Sequence, residues 1–209
     1  KRNISHKNIL ITGAGGSIGA ELSRQIIKLS PNKIVLLDNS EFNLYSIHLE
    51  LKQTEIDVQV IPTLCTTTNY YQLRKVILEH KINTIYHTAA YKHVPMVEMN
   101  IVSGVYNNVV GTFNVAKISD ELGVESMVLI STDKAVRPTN IMGASKRMSE
   151  LVLQAFSEIS SCCFSMVRFG NVLDSAGSVV PLFRDQIKKG GPITVTHRDI
   201  TRYFMSIPE

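Results

Sequence analysis

The 209-residue chain predicts an α/β fold built on a doubly wound parallel sheet with a smaller C-terminal lobe. Three observations predict it. Short apolar runs alternate with longer segments of helical periodicity. The runs are apolar nearly throughout, as strands covered on both faces are, rather than alternating. The first run ends in a cluster of glycines that opens a helix.

In order, residues 8–12 read as the first strand, and Ile18, Leu22, Ile26 and Leu29 mark one face of the first helix, which Pro31-Asn32 breaks. Residues 33–37 form a second strand ending at Asp38, 41–54 a second helix, and 58–61 a third strand closed by Pro62. A helix over 69–80 and a strand over 84–87 follow, then one long helix over 102–122 that stops at Gly123. Residues 127–131 are the next strand, 140–159 the next helix and 164–169 the last strand of the alternation. From Asn171 onward glycine and proline become frequent and the elements shorten, and the pattern stops at Pro208-Glu209 as a truncated lobe would.

Composition narrows the function classes. Hydrophobic content of 44% and charge of 19% are those of a soluble globular protein able to bury a core. The net charge of +4 is spread along the chain instead of blocked, which argues against a nucleic-acid partner. No apolar run approaches the ~20 residues that span a bilayer, and no signal peptide is present, so the chain reads as cytoplasmic. Cys65, Cys162 and Cys163 have neither a disulfide framework nor metal-ligand spacing, and no metal is expected.

Gly13, Gly16 and Gly19 form a Gly-x-x-Gly-x-x-Gly variant of the dinucleotide fingerprint, with a strand before it and a helix after it. The fold expected is therefore Rossmann-like. Gly13 permits the tight turn, Gly16 the approach of a pyrophosphate, and Gly19 close packing of helix on strand. The helix N-terminus offers N–H groups and a positive dipole end to phosphates. Asp38, 19 residues after Gly19, can accept ribose hydroxyls and would repel a 2′-phosphate, while capping the second helix is a compatible role. Asn39, Ser40 and Glu41 bring no arginine, so NAD is favoured over NADP.

Taken together, these residues resemble the extended short-chain dehydrogenase/reductase superfamily, and within it the UDP-N-acetylglucosamine 4,6-dehydratases of bacterial polysaccharide biosynthesis. The segments that carry the resemblance are residues 12–19, 86–95, 131–146, 168–172 and 201–204. They span essentially the whole chain. The resemblance implies a dinucleotide-binding domain with the catalytic residues at 1–170 and part of a nucleotide-sugar lobe at 171–209. It extends the cofactor contacts to Gly15, Ser17, Ile18, Ala89 and Ala90. It implies an internal redox reaction on a UDP-sugar: oxidation at carbon 4, loss of water across carbons 5 and 6, and return of hydride to carbon 6.

Met142 stands where the family's Tyr-x-x-x-Lys motif most often has tyrosine. The Met form is typical of larger relatives with an N-terminal membrane region, so location at the cytoplasmic face of a membrane is an open expectation. Methionine has no proton to exchange. The resemblance gives Asp133 the role of acid at the carbon 6 hydroxyl, Lys134 that of base at carbon 5, and Lys146 that of a ligand of the nicotinamide ribose. Thr132 is the nearest hydroxyl for proton transfer at carbon 4. An adjacent Asp–Lys ion pair favours both charged forms, the reverse of what those roles require. Lys92 and His93 are expected at the substrate, and Asn171 and Arg202 resemble diphosphate ligands, with Arg198 the alternative to Arg202.

One segment departs from the family, which has Gly-Asp after the third strand. Here Leu64-Cys65-Thr66 leaves only the Thr66 hydroxyl for adenine, and Asp174 replaces a common glycine. The rival readings are a UDP-sugar 4-epimerase or carbon-5-inverting dehydratase, and a catalytically weak dinucleotide-binding assembly module. The two long helices at 102–122 and 140–159 are where a homo-oligomer would pair.

Overall fold

The computed structural model describes residues 3–173, 175, 179–195, 199, 201 and 203–209. Strands β1 (Asn8–Thr12), β2 (Lys33–Asp38), β3 (Gln59–Leu64), β4 (Thr84–His87), β5 (Ser126–Thr132) and β6 (Cys163–Phe169) form one sheet. Their order is β3-β2-β1-β4-β5-β6, and every pairing is parallel. Helices α1 (Ser17–Ile27), α2 (Glu41–Lys52), α3 (Tyr70–Glu79), α4 (Val94–Met99), α5 (Ile101–Val105), α6 (Gly111–Glu121) and α7 (Ile141–Ile159) make the crossovers.

The uniform apolarity of the inner strands has a direct cause. Leu10, Val35 and Leu37 point to one face, into a cluster with Leu73, Ile77, Val115, Ile118 and Leu153. Ile9, Ile11, Ile34 and Leu36 point to the other, against Ile26, Ile27, Leu44 and Ile47. Each side chain of this kind, fully buried, stabilises the fold by about 1.5–3 kcal/mol, so both helical layers are held by the strand residues between them.

Three elements differ from the sequence reading, the first being α4, a helix not expected between the fourth strand and residue 102. Strand β3 runs through Pro62, which sits opposite Leu36 in the ladder. It is an edge strand, where a missing N–H on the open side costs nothing. The single helix expected over 102–122 is instead α5, a π-turn at Tyr106–Val110 and α6, ending as expected at Gly123 with φ +65°. The π-turn has a packing reason. The carbonyl of Asn108 accepts from the hydroxyls of Thr112 (2.6 Å) and Ser149 (2.9 Å), so α7 is drawn against the bulge.

Beyond β6 lie β7 (Asn171–Val172), α8 (Val179–Lys188) and β8 (Phe204–Met205), with β7 and β8 paired in a separate parallel ladder. No helix of the described residues is long and apolar enough to cross a membrane.

Candidate active site

The chain order reverses between β1 and β4, and the loops leaving these strands diverge there to open a crevice. Gly13 leaves β1 with φ +66°, and a Cβ on it would lie 2.7 Å from the Ala89 backbone. Thr88 closes the same gap by donating to the carbonyls of Thr12 (2.7 Å) and Gly13 (3.1 Å). Gly16 is the N-cap of α1 and no side chain caps that terminus, so the fingerprint loop presents backbone to the crevice.

Asp38 is 7% exposed and each of its oxygens takes one backbone donor, Gly15 N and Ser40 N, both at 2.9 Å. A second lone pair on each oxygen remains for a ligand. The α2 cap is Ser40 and not Asp38: its hydroxyl accepts from Asn43 N at 3.4 Å. The cavity at Asp38 also exposes Cys65, Thr66 and Thr67 and contains no cationic side chain. Thr66 Oγ1 already pairs with Thr68 Oγ1 at 2.8 Å.

Three cavities join into one groove. The Asp38 cavity shares Gly13, Gly16 and Ala90 with a second, of about 610 Å³, lined by Ser17, Ile18, Gly19 and, from α4, Met96 and Val97. That one shares Ile18, Ala90, Lys92 and His93 with a third, of about 260 Å³, which holds Thr132, Lys134, Met142, Lys146 and Asn171.

At the third cavity, Thr132 ends β5 and caps a single 3-10 turn, Asp133–Ala135. Its hydroxyl accepts from Lys134 N (3.3 Å) and donates to Asp133 Oδ1 (2.9 Å). Lys134 Nζ lies 3.2 Å from Asp133 Oδ1 and 3.3 Å from Asn171 Oδ1. Partial burial would raise the Asp133 pKa, but the bonds from Thr132 and Lys134 outweigh it and hold the carboxyl below its ordinary value. Asp133 is thus ionised in this arrangement, opposite to the protonated acid that the resemblance implies.

Asn140 caps α7 through Gly143 N at 2.8 Å, and Glu98 on α4 accepts from Ile141 N at 2.7 Å. One turn in, Met142 is 3% exposed and faces the cavity with Lys146, four residues on. Lys146 Nζ donates to Ile130 O at 2.8 Å, which leaves two of its three donors for a ligand. Burial draws its pKa down to about 8, against the opposing pull of Glu150.

Sequence reasoning missed three supporting groups. Glu150 is fully buried and takes Ser131 Oγ and Arg168 Nε (both 2.7 Å), Arg168 Nη2 (2.5 Å) and Arg147 Nη1 (2.9 Å). Its signal was its place four residues after Lys146, but the arginine opposite Ser131 in the ladder becomes visible only with the register. His87 joins Thr12 Oγ1 (2.7 Å) to Thr112 Oγ1 (3.0 Å). Burial and then Lys146 push its pKa down to about 3, so it is a neutral strut. The carboxamide of Asn108 clamps both backbone groups of Tyr91 (2.8 and 3.0 Å) and its Nδ2 donates to Ser145 Oγ at 3.0 Å. It thereby fixes the loop that carries Ala89, Ala90, Lys92 and His93. Asn108→Ala is expected to cost about 2 kcal/mol, because buried partners lose their bonds, measured as a shift in the urea midpoint.

Burial pushes the thiols of Cys65 to about 11 and Cys162 to about 12, which leaves them unreactive. Among the described residues no group of three His, Cys, Asp or Glu could hold a metal. Arg202, Arg198 and Asp174, singled out from the sequence, lie outside the described residues.

Comparison with known proteins adds a family. A family model described as "Polysaccharide biosynthesis protein" matches residues 9–209. The chain is 50% identical to the capsular polysaccharide biosynthesis protein CapD of Staphylococcus aureus over 210 residues, all of this chain and 35% of that protein. It is 33% identical to a UDP-N-acetylglucosamine 4,6-dehydratase (inverting) of Campylobacter jejuni, over 97% of this chain and 60% of that one. A solved structure of Pen from Bacillus thuringiensis superposes with a TM-score of 0.90 at 32% identity, covering 98% of this chain and 65% of that one. The chain therefore spans about a third of CapD and under two thirds of the other two.

Proposed function

The chain belongs to the polysaccharide biosynthesis protein family, and from that premise we propose that it is the catalytic part of an NAD-dependent UDP-N-acetylglucosamine 4,6-dehydratase. The observation that carries the reading is the continuous groove from Asp38, past the glycine loop, to the cluster of Thr132, Lys134, Met142 and Lys146.

The residues fit a dinucleotide without a 2′-phosphate. Asp38 would take the adenosine ribose, the loop of Gly13, Gly15, Gly16, Ser17, Ile18 and Gly19 the pyrophosphate, and Ala89, Ala90 and Lys146 the nicotinamide riboside. The lack of any cation in the Asp38 cavity favours NAD over NADP. When bound, NAD supplies the acceptor for hydride from carbon 4 and the donor of hydride to carbon 6. The chain supplies the rest. Lys146 orients the ribose through its two remaining donors. Thr132 relays the hydroxyl proton of carbon 4 towards Asp133, to which its own hydroxyl already donates, and Asp133 and Lys134 form the charged centre of the elimination. Lys92, His93, Asn171 and Arg202 would hold the sugar nucleotide, and Met142 makes an apolar wall.

The test is direct. The full-length protein with NAD and UDP-N-acetylglucosamine, followed by NMR, should lose the carbon 6 hydroxyl signals and gain a methyl group. Conversion to the galacto sugar would replace this reading with a 4-epimerase, and tight NAD binding without turnover would leave an assembly module. Lys134→Ala should lower kcat on the order of 10²–10⁴-fold, and Met142→Leu by less than about threefold, since a volume-conserving swap costs little. The reverse ranking would sink the assignment. NAD affinity should weaken as pH rises through about 8, where Lys146 loses its proton, and calorimetric titration between pH 7 and 9 checks this.

We also assign homo-oligomer formation to the stretch of α5, the π-turn and α6 together with α7, whose outer residues Val102 (82% exposed), Tyr106 (53%), Phe113 (43%), Met148 (49%) and Leu151 (48%) leave apolar surface open. Sedimentation of the full-length protein, with Val102→Asp and Leu151→Asp together expected to lower its mass, tests that.

A further inference from the structure

The Asp38 cavity, of about 190 Å³, has two sides. On one lie Gly13, Gly16 and Asn43, which packs on the glycine loop so closely that a Cβ on Gly15 would lie 2.5 Å from its own. On the other lies the segment that leaves β3. It is tied to the end of β2 by Cys65 N, which donates to Asp38 O at 3.0 Å. Within that segment the Cys65 thiol donates to Thr66 O at 3.3 Å. The Thr67 hydroxyl is turned to the start of α6, where a Cβ on Gly111 would lie 2.5 Å from it. The Thr66 hydroxyl is therefore the side-chain group of residues 65–67 that faces the cavity.

A hydroxyl has one proton and two lone pairs. Thr66 Oγ1 accepts from Thr68 N at 3.3 Å and pairs with Thr68 Oγ1 at 2.8 Å, and either hydroxyl of that pair can be the donor. With Thr66 as donor, one of its lone pairs is left for an incoming N–H. With Thr68 as donor, both lone pairs of Thr66 are filled and its proton is left for an incoming oxygen. Thr68 Oγ1 has no other partner among the described residues, so nothing fixes the direction of the bond.

Resting on the reading of this groove as an NAD site, we infer that Thr66 determines which purine the base subsite takes, and that it takes two. One carries an amino group at position 6, as adenine does, and the other an oxo group, as hypoxanthine does. The placement follows from the two sides of the cavity. A nucleoside whose ribose meets Asp38 and whose phosphate meets the glycine loop turns its base away from the loop, toward residues 65–67. The tolerance follows from the reversible Thr66–Thr68 pair. An amino group needs an acceptor and meets the free lone pair. An oxo group needs a donor and meets the free proton.

Nothing else on the cavity imposes one sense. Apart from Asp38 it holds no carboxylate and no cation. The carboxamides of Asn43 and Asn107 carry both a donor and an acceptor, as hydroxyls do. An ionised carboxylate at position 66 would behave differently. It accepts only, so it would hold an amino group and oppose the lone pairs of an oxo group.

Calorimetric titration of the full-length protein with NAD and with nicotinamide hypoxanthine dinucleotide, which differ in the purine alone, tests this. The native protein is expected to prefer NAD by less than about tenfold. Thr66→Asp is expected to widen that preference by about tenfold or more, the effect of an acceptor left facing an acceptor. Thr66→Val, which keeps the shape and removes both senses together, is expected to weaken both dinucleotides by about threefold or more while their ratio stays near the native one. A native preference of about tenfold or more overturns the inference and leaves the NAD reading standing. So does a ratio that Thr66→Asp fails to widen, or affinities that Thr66→Val leaves unchanged. A native protein that binds neither dinucleotide overturns the NAD reading, and the inference with it.

Discussion

Glu150→Ala is expected to destabilise the fold by about 3 kcal/mol, the lower end of the cost of breaking a buried ion pair. The carboxylate is fully buried, and its loss strands Arg168, Arg147 and Ser131 together. The lower end applies because the two arginines keep 40% and 36% of their side chains exposed and can rehydrate. The effect should reach the site. Lys146 and Glu150, one turn apart on α7, are tied to the consecutive β5 residues Ile130 and Ser131. Removing one tie frees the register of α7 against β5, so Lys146 loses its placement. Urea unfolding measures the first effect and NAD titration the second. A change below about 0.5 kcal/mol would show that the network is not structural.

The same residue predicts acid sensitivity. Burial alone would raise the Glu150 pKa, but Arg168, Ser131 and Arg147 more than reverse this and hold it at about 2, below its ordinary 4.5. A carboxyl with a depressed folded pKa contributes stability that is present above its unfolded value and lost as pH falls through the folded one. The window is therefore pH 4.5 down to about 2. Across it the native protein should lose stability more steeply than Glu150→Ala does.

Gly19→Ala should be nearly as damaging, by a different route. The added Cβ would lie 2.1 Å from Gly13 O and 2.8 Å from Ala14 Cα. Both are backbone atoms, so no side chain can rotate away and α1 must shift off β1. Overpacking of this kind costs about 3 kcal/mol. The displaced helix N-terminus also leaves the pyrophosphate position, so NAD affinity should fall at least tenfold, that is, by about 1.4 kcal/mol. Calorimetric titration decides this, and unchanged affinity would mean that the glycine loop is not the phosphate site.

Much of the fold was legible because it rests on local rules. Strands buried on both faces must be apolar throughout, so 8–12 and 33–37 stood out, and Asn69, Asn140 and Gly123 marked helix ends by their side-chain or backbone chemistry. Pro62 misled because proline closes a central strand but not an edge strand, and edge status depends on sheet order. The π-turn was invisible because the contact that draws α7 against it, from the Ser149 hydroxyl to the Asn108 carbonyl, comes from 41 positions away.

By itself, then, the sequence determined the parallel sheet, the fingerprint turn at Gly13 with Asp38 19 residues beyond Gly19, and the meeting of Met142 with Lys146 on one helical face. These depend on spacing, and spacing is what a chain records. Tertiary structure alone decided the protonation of Asp133, the four donors gathered on Glu150, and the junction at Lys92 between two cavities. Charge states and cavities are set by burial and by groups that come together from distant elements, and no local pattern carries them.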